Sequence, residues 1–139
     1  MDTSKKMTSE EKFEYWLDIA QYDLKSAGIM YRSGRWLHVV FMCQQAIEKL
    51  VKGLFSLYKN DTVPHIHDIR AIFLKIMPNL TIPVDEKNLD FLSLLNTYYL
   101  NTRYPAFKEK LSSTLNKTAA KTTLKKTKEI FEWLLTLKP

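Results

Sequence analysis

The sequence predicts an all-α protein, an up-and-down four-helix bundle with an additional short helix, and three observations support this. Apolar residues recur at three- and four-residue steps along each long segment, which is the spacing of one face of an α-helix. No segment alternates apolar and polar residues as a half-buried strand does. Only three glycines and five prolines occur in 139 residues, so the segments between breaks are long enough for helices.

The first helix is predicted to begin near Thr8 and to end at Gly34. Thr8 and Glu11 have the spacing of a capping box, in which each side chain accepts a hydrogen bond from a free backbone N–H at the helix start. Gly34 suits a helix end because glycine adopts positive φ without strain. The apolar stripe between them comprises Phe13, Trp16, Leu17, Ala20, Leu24, Ala27 and Tyr31.

The second helix is predicted from about Arg35 to Lys59 and carries two adjacent stripes. A helix that is apolar over this width contacts neighbours on two sides, so we expect it at the centre of the bundle. Its remaining face is expected to meet water or a partner and carries His38, Gln45, Lys49, Lys52 and Lys59. The stripes comprise Trp36, Val40, Cys43, Ile47, Leu50, Leu54 and Leu57, and Leu37, Phe41, Gln44, Glu48, Val51, Phe55 and Tyr58.

Three further helices follow the break at Asn60–Pro64. A short helix is predicted at about Asp68–Met77, with His67 or Asp68 as its cap. The fourth covers about Asp85–Arg103, because Pro105 disfavours helix at the residue before it. The last begins at Ser112 or later and runs to Leu137. Its outer face carries Lys117, Lys121, Lys125 and Lys128.

The chain is expected to form one domain, residues 8–138, preceded by a disordered polar segment, residues 1–7. That segment has no apolar run of the length that a signal peptide needs, and no stretch approaches a membrane span. The single cysteine, Cys43, lies between apolar neighbours and predicts a packed thiol in a reducing compartment. We therefore expect a cytoplasmic protein without membrane association. Its formal net charge of +6 favours acidic partners, RNA included, although a lysine-rich surface is usually only solvated.

The most informative polar residues are Gln44 and Glu48, one turn apart within an apolar stripe. A buried carboxylate is costly unless it is paired or hydrogen-bonded, so Glu48 requires a cation. Arg103, at the end of the fourth helix, is the candidate, and its guanidinium could also bind a phosphate. Two interpretations stay open: a structural network that fixes helix register, with Arg103 serving the helix dipole, or a polar floor in a cleft or subunit interface.

Other chemical signals in the sequence are weak. His65 and His67 lack enough partners for a metal site, since three or four ligands are needed and His38 is the one remaining histidine. No phosphate-binding glycine loop, nucleophile elbow or HExxH motif occurs. We therefore predict no metal, no cofactor and no standard catalytic set. Four aromatic residues could stack on a nucleobase: Trp16, Trp36, Tyr98 and Tyr99. Their helical spacing is more typical of core residues.

Several of these segments together resemble one family. The second helix contains FMCQQAIEKLVKGL at residues 41–54, which is similar to the second-helix signature of HEPN domains (higher eukaryotes and prokaryotes nucleotide-binding). The segment His67-Asp68-Ile69 resembles the family's His-Asp-Leu start to its short helix. The segment Asn101–Pro105 resembles its Arg-Tyr-Pro helix ending. The resemblance covers roughly residues 12–135.

The resemblance implies a five-helix bundle that forms a homodimer and is paired with a small nucleotidyltransferase in a toxin–antitoxin-like system. Many HEPN domains are metal-independent ribonucleases whose motif is an arginine followed, after four to six residues, by a histidine. Arg103 matches the arginine, but positions 108, 109 and 110 hold Lys, Glu and Lys. The resemblance therefore favours a non-catalytic nucleotide- or RNA-binding module. Its candidate binding residues are Arg103, Gln44, Glu48, Tyr104 and His67.

Two alternatives remain at this point. One is an active endoribonuclease that uses Arg103 with a non-standard base, His67 or Glu48, since cleavage needs a group that exchanges a proton near neutral pH. The other is a purely structural interaction protein in which the polar residues only fix helix register.

Overall fold

The computed structural model describes residues 7–59, 61–103 and 113–139, and the side chains of residues 100–103 lie outside it. The described residues form five α-helices and contain no strand. The helices are α1 (Ser9–Arg32), α2 (Trp36–Lys59), α3 (Ile69–Ile76), α4 (Glu86–Arg103) and α5 (Lys117–Leu135). A 3-10 turn, Met77–Asn79, extends α3. The all-helical fold class is confirmed.

The ends of α1 follow the sequence signals closely. Thr8 and Glu11 form both hydrogen bonds of the capping box, at 3.1 and 3.0 Å. Gly34 lies just beyond the helix end with φ of +72°, a conformation that L residues with a side chain rarely adopt. The predicted disordered segment 1–7 lies, except for Met7, outside the described residues.

The central position of α2 is confirmed, because it packs against α1, α3, α4 and α5. Its burial extends beyond the two predicted stripes, since Val39, Ala46 and Ser56 are also buried. Lys52 was predicted on the outer face, and this is wrong: the residue is 7% exposed. The reason is its spacing from Glu48, described below.

Close packing of α1 on α2 depends on Gly53. A Cβ atom at Gly53 would lie 3.0 Å from Trp16 Cβ and 3.2 Å from Phe13 Cδ2, so the two backbones approach closely here. Buried alanines, Ala20 and Ala27, continue this contact along α1.

The remaining boundaries differ from prediction by a few residues. Asp68 is the N-cap of α3, and Asn116 caps α5, which begins at Lys117 and ends at Leu135. Among the described residues, no helix has both the length and the apolar character needed to cross a membrane. The inner stripe of α5 is buried and comprises Ala120, Leu124, Thr127, Phe131 and Leu134.

Candidate functional site

The centre of the candidate site is the carboxylate of Glu48, in the middle of α2. The residue is fully buried. Gln44 Nε2 donates to its Oε1 at 2.9 Å, and Lys52 Nζ donates to its Oε2 at 3.2 Å. Both partners lie one helical turn away on the same helix, where side chains four residues apart are neighbours. The predicted need of Glu48 for a cation is thus met by Lys52, which compensates the cost of burying the charge.

His67 approaches the same carboxylate from the loop before α3. Its Nδ1 lies 3.1 Å from Glu48 Oε1 and 3.2 Å from Oε2. A carboxylate accepts, so Nδ1 carries the proton in this contact and Nε2 is the nitrogen left for a ligand. The His67 side chain is 48% exposed while that of Glu48 is 1% exposed. A buried anion therefore orients a half-exposed imidazole.

The loop that carries His67 is fixed by α4. Asp68 Oδ1 accepts from the Ala71 backbone N–H at 3.0 Å and from Asn96 Nδ2 at 2.7 Å. Asn96 Oδ1 in turn accepts from the Ile69 backbone N–H at 2.8 Å. One amide of α4 thus holds both the cap and the first turn of α3, which limits the positions that His67 can take.

Tyr99 supplies an aromatic surface beneath His67. The two rings are stacked, with centroids 4.1 Å apart and planes inclined by 22°. Phe41 lies behind Tyr99, at 6.4 Å between ring centroids. A cavity of about 340 Å³ opens beside this stack. It is lined by Ile66, His67, Asp68, Asn96 and Tyr99.

Two lysines lie near the buried carboxylate of Glu48. Glu48 and Asp68 are acidic, while Lys52 and Lys49 are basic, with Lys49 Nζ 3.9 Å from Glu48 Oε2. Lys49 is further held by Gln45, whose Oε1 accepts from Nζ at 3.0 Å. The formal charges of these four residues sum to zero.

Cys43 takes no part in this chemistry. It is fully buried, as the sequence predicted, and burial raises the pKa of its thiol to about 11. The hydroxyl of Thr127 and the charge of Lys128 oppose that shift without cancelling it. Since the thiolate is the reactive form, Cys43 is an inert core thiol at neutral pH.

The structure brings together three of the five predicted site residues: Gln44, Glu48 and His67. Position 103 closes α4, one turn beyond Tyr99, but the Arg103 side chain and all of Tyr104 lie outside the described residues. The proposed pairing of Arg103 with Glu48 therefore stays a prediction. Within the described residues, no group of three His, Cys, Asp or Glu side chains is placed to hold a metal.

Sequence reasoning missed Lys52, Asn96 and the role of Tyr99. Lys52 had an available signal, because it follows Glu48 by four residues on a helix. Tyr99 was considered only as one of several aromatic residues at core spacing. Asn96 had no signal, since its partners lie 27 and 28 residues away in the chain.

Comparison with known proteins identifies the fold and one family. The sequence profile of the HEPN domain matches residues 13–137. TT1696 from Thermus thermophilus is similar in structure, with a TM-score of 0.72 and 24% identity over 90% of this chain and 97% of that one. ST0689, described as an archaeal HEPN homologue, has a TM-score of 0.69 and 24% identity over 91% and 98%. No curated protein matches the chain.

Proposed function

Because this chain belongs to the HEPN domain family, we propose that it is a nucleotide- or RNA-binding module that binds its ligand without cleaving it. One observation carries the proposal: the buried carboxylate of Glu48 holds His67 against Tyr99 at the rim of a cavity of about 340 Å³. A site held in its binding geometry before the ligand arrives loses little entropy on binding.

The aromatic surface and the amide of Asn96 suit the base of the ligand. Nucleobases stack on aromatic side chains, and the outer face of the half-exposed His67 ring, which rests on the buried ring of Tyr99, provides such a surface. The base would enter the cavity, and Nε2 of His67 would contact the sugar or a phosphate.

The phosphate requires a further cation, which we assign to Arg103. The charges of Glu48, Asp68, Lys49 and Lys52 cancel, so these four residues give a phosphate no net attraction. A guanidinium binds phosphate through two parallel hydrogen bonds. Position 103 follows Tyr99 by one turn of α4, which supports this assignment. Gln44 and Glu48 then act as the buried support for His67, and Tyr104 is a secondary candidate.

RNA is favoured as the natural ligand by the charge of α5. Residues 117–128 include five lysines and no acidic residue. Lys117, Lys121 and Lys125 are exposed, and the ion pairs of the described residues do not include them. Lys117, in the first turn of α5, opposes the helix dipole, and a run of exposed lysines without acidic partners suits a polyanionic ligand.

The proposal extends to assembly. We propose a cytoplasmic homodimer that partners a small nucleotidyltransferase in a toxin–antitoxin-like pair. The support is the resemblance of residues 41–54 and 101–105 to HEPN sequence signatures. We expect a gene for a small nucleotidyltransferase beside the gene for this chain. We also expect the two proteins to form a complex when they are co-expressed.

The binding proposal is tested by titrating the protein with ATP and with a short single-stranded RNA in a calorimeter. We expect Arg103→Ala and His67→Ala each to weaken binding by about tenfold or more, because a lost hydrogen bond to a charged group is worth about 1.5–3 kcal/mol. Matched controls are Arg35→Ala and His65→Ala, which change exposed residues of the same types. Unchanged affinity in Arg103→Ala and His67→Ala would contradict the site.

A second function is favoured by one specific contact. The bond from His67 Nδ1 to a buried carboxylate is how general bases are oriented in hydrolases, with Nε2 free to take a proton. In this alternative the chain is a metal-independent endoribonuclease. His67 removes the proton of a ribose 2′-hydroxyl, the resulting oxygen attacks the adjacent phosphorus, and the 5′-oxygen leaves with a proton from water.

Incubation of excess protein with transfer and messenger RNA in EDTA separates the two functions. The binding module leaves RNA intact. The endoribonuclease gives fragments with 2′,3′-cyclic phosphate ends, and His67→Gln abolishes them while His65→Gln does not. Intact RNA in every condition rules out this alternative.

A further inference from the structure

A second cavity lies between α1 and α5, which are not the helices that carry the candidate site. Its volume is about 430 Å³, and it shares no lining residue with the cavity beside His67. Residues 21–32 of α1 and 128–135 of α5 line it. On each helix the lining residues follow one another at steps of three and four, so they occupy one face of that helix. We call this cavity the α1–α5 groove.

The floor of the α1–α5 groove is apolar. Phe131 is 3% exposed, while Leu24 and Leu135 are half-buried and so remain in contact with solvent. Gly28 adds open space, because among the described residues a Cβ atom at this position would meet only the Nη1 atom of Arg32, at 3.8 Å. A volume of this size with an apolar lining is typical of a pocket for a small molecule.

The charged side chains of the α1–α5 groove are mostly basic. Lys25, Arg32 and Lys128 are positive and Glu132 is negative, which gives the lining residues a net formal charge of +2. All four residues are exposed. The ion pairs of the described residues include none of them.

Neighbouring acidic residues do not neutralise this groove. Asp23 and Glu129 are close to it in the sequence, but neither lines it. Asp23 interacts instead with Lys49 of α2, whose charge opposes the rise in the pKa of Asp23 that burial causes. Of the three cations, Arg32 alone lies in the last turn of a helix, where the dipole favours it. Like charges around one groove repel, so an anion from outside the described residues would stabilise them.

We propose that the α1–α5 groove binds a small organic phosphate monoester. At neutral pH such a phosphate carries close to two negative charges, because its second pKa is about 6, and this matches the net charge of the groove. The guanidinium of Arg32 suits two parallel hydrogen bonds to phosphate oxygens, and the ammonium groups of Lys25 and Lys128 act as point charges. The apolar part of the ligand covers the floor. The inference goes beyond the proposed function and uses none of its residues.

Phenyl phosphate is the probe that tests this site, since it joins a phosphate monoester to an apolar ring. Inorganic phosphate and phenol each supply one of these two parts. We expect calorimetry to show that phenyl phosphate binds at least about tenfold more tightly than either, because each part contributes its own contacts. In NMR spectra we expect it to shift the amide signals of residues 21–32 and 128–135, in the parent and equally in His67→Ala. Shifts confined to residues 66–68 and 96–99, or no saturable shift along the groove, would overturn the proposal.

Variants of the groove test the assigned contacts. Arg32→Gln and Lys128→Gln are each expected to weaken the binding of phenyl phosphate by about tenfold, because each removes hydrogen bonds to a charged group. Gly28→Leu fills the groove and is expected to abolish binding, with the circular dichroism of a folded helical protein because leucine favours a helix more than glycine does. The matched controls are Arg35→Gln and Lys75→Gln, which change exposed residues outside the groove and are expected to bind as the parent does. Parent affinity in the three groove variants, or an equal loss in the controls, would contradict the site.

The phosphate monoester has two natural sources, a free metabolite or the 5′ end of an RNA. Two short RNAs of one sequence, with a 5′-phosphate and with a 5′-hydroxyl, distinguish these sources in the same NMR experiment. Groove signals that respond to the phosphorylated RNA alone assign the site to an RNA end. Groove signals that respond to phenyl phosphate but not differently to the two RNAs assign it to a free metabolite.

Discussion

The two sides of α2 are both buried, yet they are buried by different means. Toward α1 the contact is apolar and close, with Gly53 against the Cβ of Trp16. Toward the loop before α3 the same helix presents Glu48, whose carboxylate is paired with Gln44, Lys52 and His67. Lys52 also borders α1, since its Nζ lies 5.9 Å from the ring centroid of Trp16. The side toward α1 is stabilised by close apolar packing, and the polar side by paired charges and hydrogen bonds.

The difference supports the proposed site on the polar side. A buried ion pair is no better for stability than well-packed apolar residues of similar volume, so stability alone does not explain the polar side. What the polar side adds is a fixed orientation for the half-exposed His67. The apolar side needs no such explanation, because it fulfils its role by packing.

The largest expected effect comes from breaking the polar side. Glu48→Ala leaves the ammonium of Lys52, which is only 7% exposed, without its partner. We expect a loss of about 3–5 kcal/mol in the free energy of unfolding, because removing one member of a buried pair leaves an uncompensated charge. Urea denaturation measures this loss from the shift in midpoint.

The matched control for this variant is Lys49→Ala. Lys49 Nζ is 3.9 Å from the same carboxylate, but its side chain is 20% exposed. Its removal is expected to cost less than about 1 kcal/mol, because its contact with Glu48 is long and Lys52 still neutralises the carboxylate. Equal losses in the two variants would contradict the burial argument.

A smaller effect is expected on the apolar side. Gly53→Ala places a Cβ atom 3.0 Å from Trp16 Cβ, which is attached to backbone and cannot move away alone. Overpacking of this kind costs about 1–3 kcal/mol. The gain from replacing glycine within a helix, about 1 kcal/mol, offsets part of it.

Gly28→Ala measures the stability gained by replacing a helical glycine, without the steric cost expected at Gly53. Among the described residues, a Cβ atom at Gly28 would meet only Arg32 Nη1, at 3.8 Å. This variant is expected to be more stable than the parent by about 0.5–1 kcal/mol. Thermal unfolding of both variants checks the comparison, and a Gly53→Ala protein as stable as Gly28→Ala would show that α1 and α2 can move apart.

A modest effect on stability connects the polar side to the ligand. Asp68→Ala removes the α3 cap and the acceptor of Asn96 Nδ2, at a cost of about 0.5–2 kcal/mol. Because this loop carries His67, we also expect weaker nucleotide binding. Thr8→Ala removes an equivalent cap at α1 and should lower stability by a similar amount with no change in affinity. If Asp68→Ala and Thr8→Ala bind nucleotide with equal affinity, the α3 cap does not contribute to the binding site.

The fold was largely predictable from the sequence because its signals are local. The capping box at Thr8, the break at Gly34 and the stripes of α2 each depend on residues within a few positions of one another. The one clear error, Lys52, arose because a lysine on an outer face and a lysine paired with a buried carboxylate have the same helical spacing.

The candidate site was only partly predictable, because several of its contacts join residues that are far apart in the sequence. The polar residues Gln44 and Glu48 were visible as exceptions within an apolar stripe. The contact of Glu48 with His67 spans 19 residues, and the contacts of Asn96 span more. Such pairs depend on how three helices pack, and no periodicity in a single sequence specifies that.

The central position of α2 also affects the nascent chain. This helix leaves the ribosome second, yet α3, α4 and α5, which cover it, are all synthesised later. The final cover includes Leu137, which is 3% exposed and whose carbonyl accepts a hydrogen bond from the Tyr58 hydroxyl of α2. We therefore expect ribosome-bound chains that stop before residue 137 to expose apolar surface of α2 and to recruit chaperones that release them once α5 has docked.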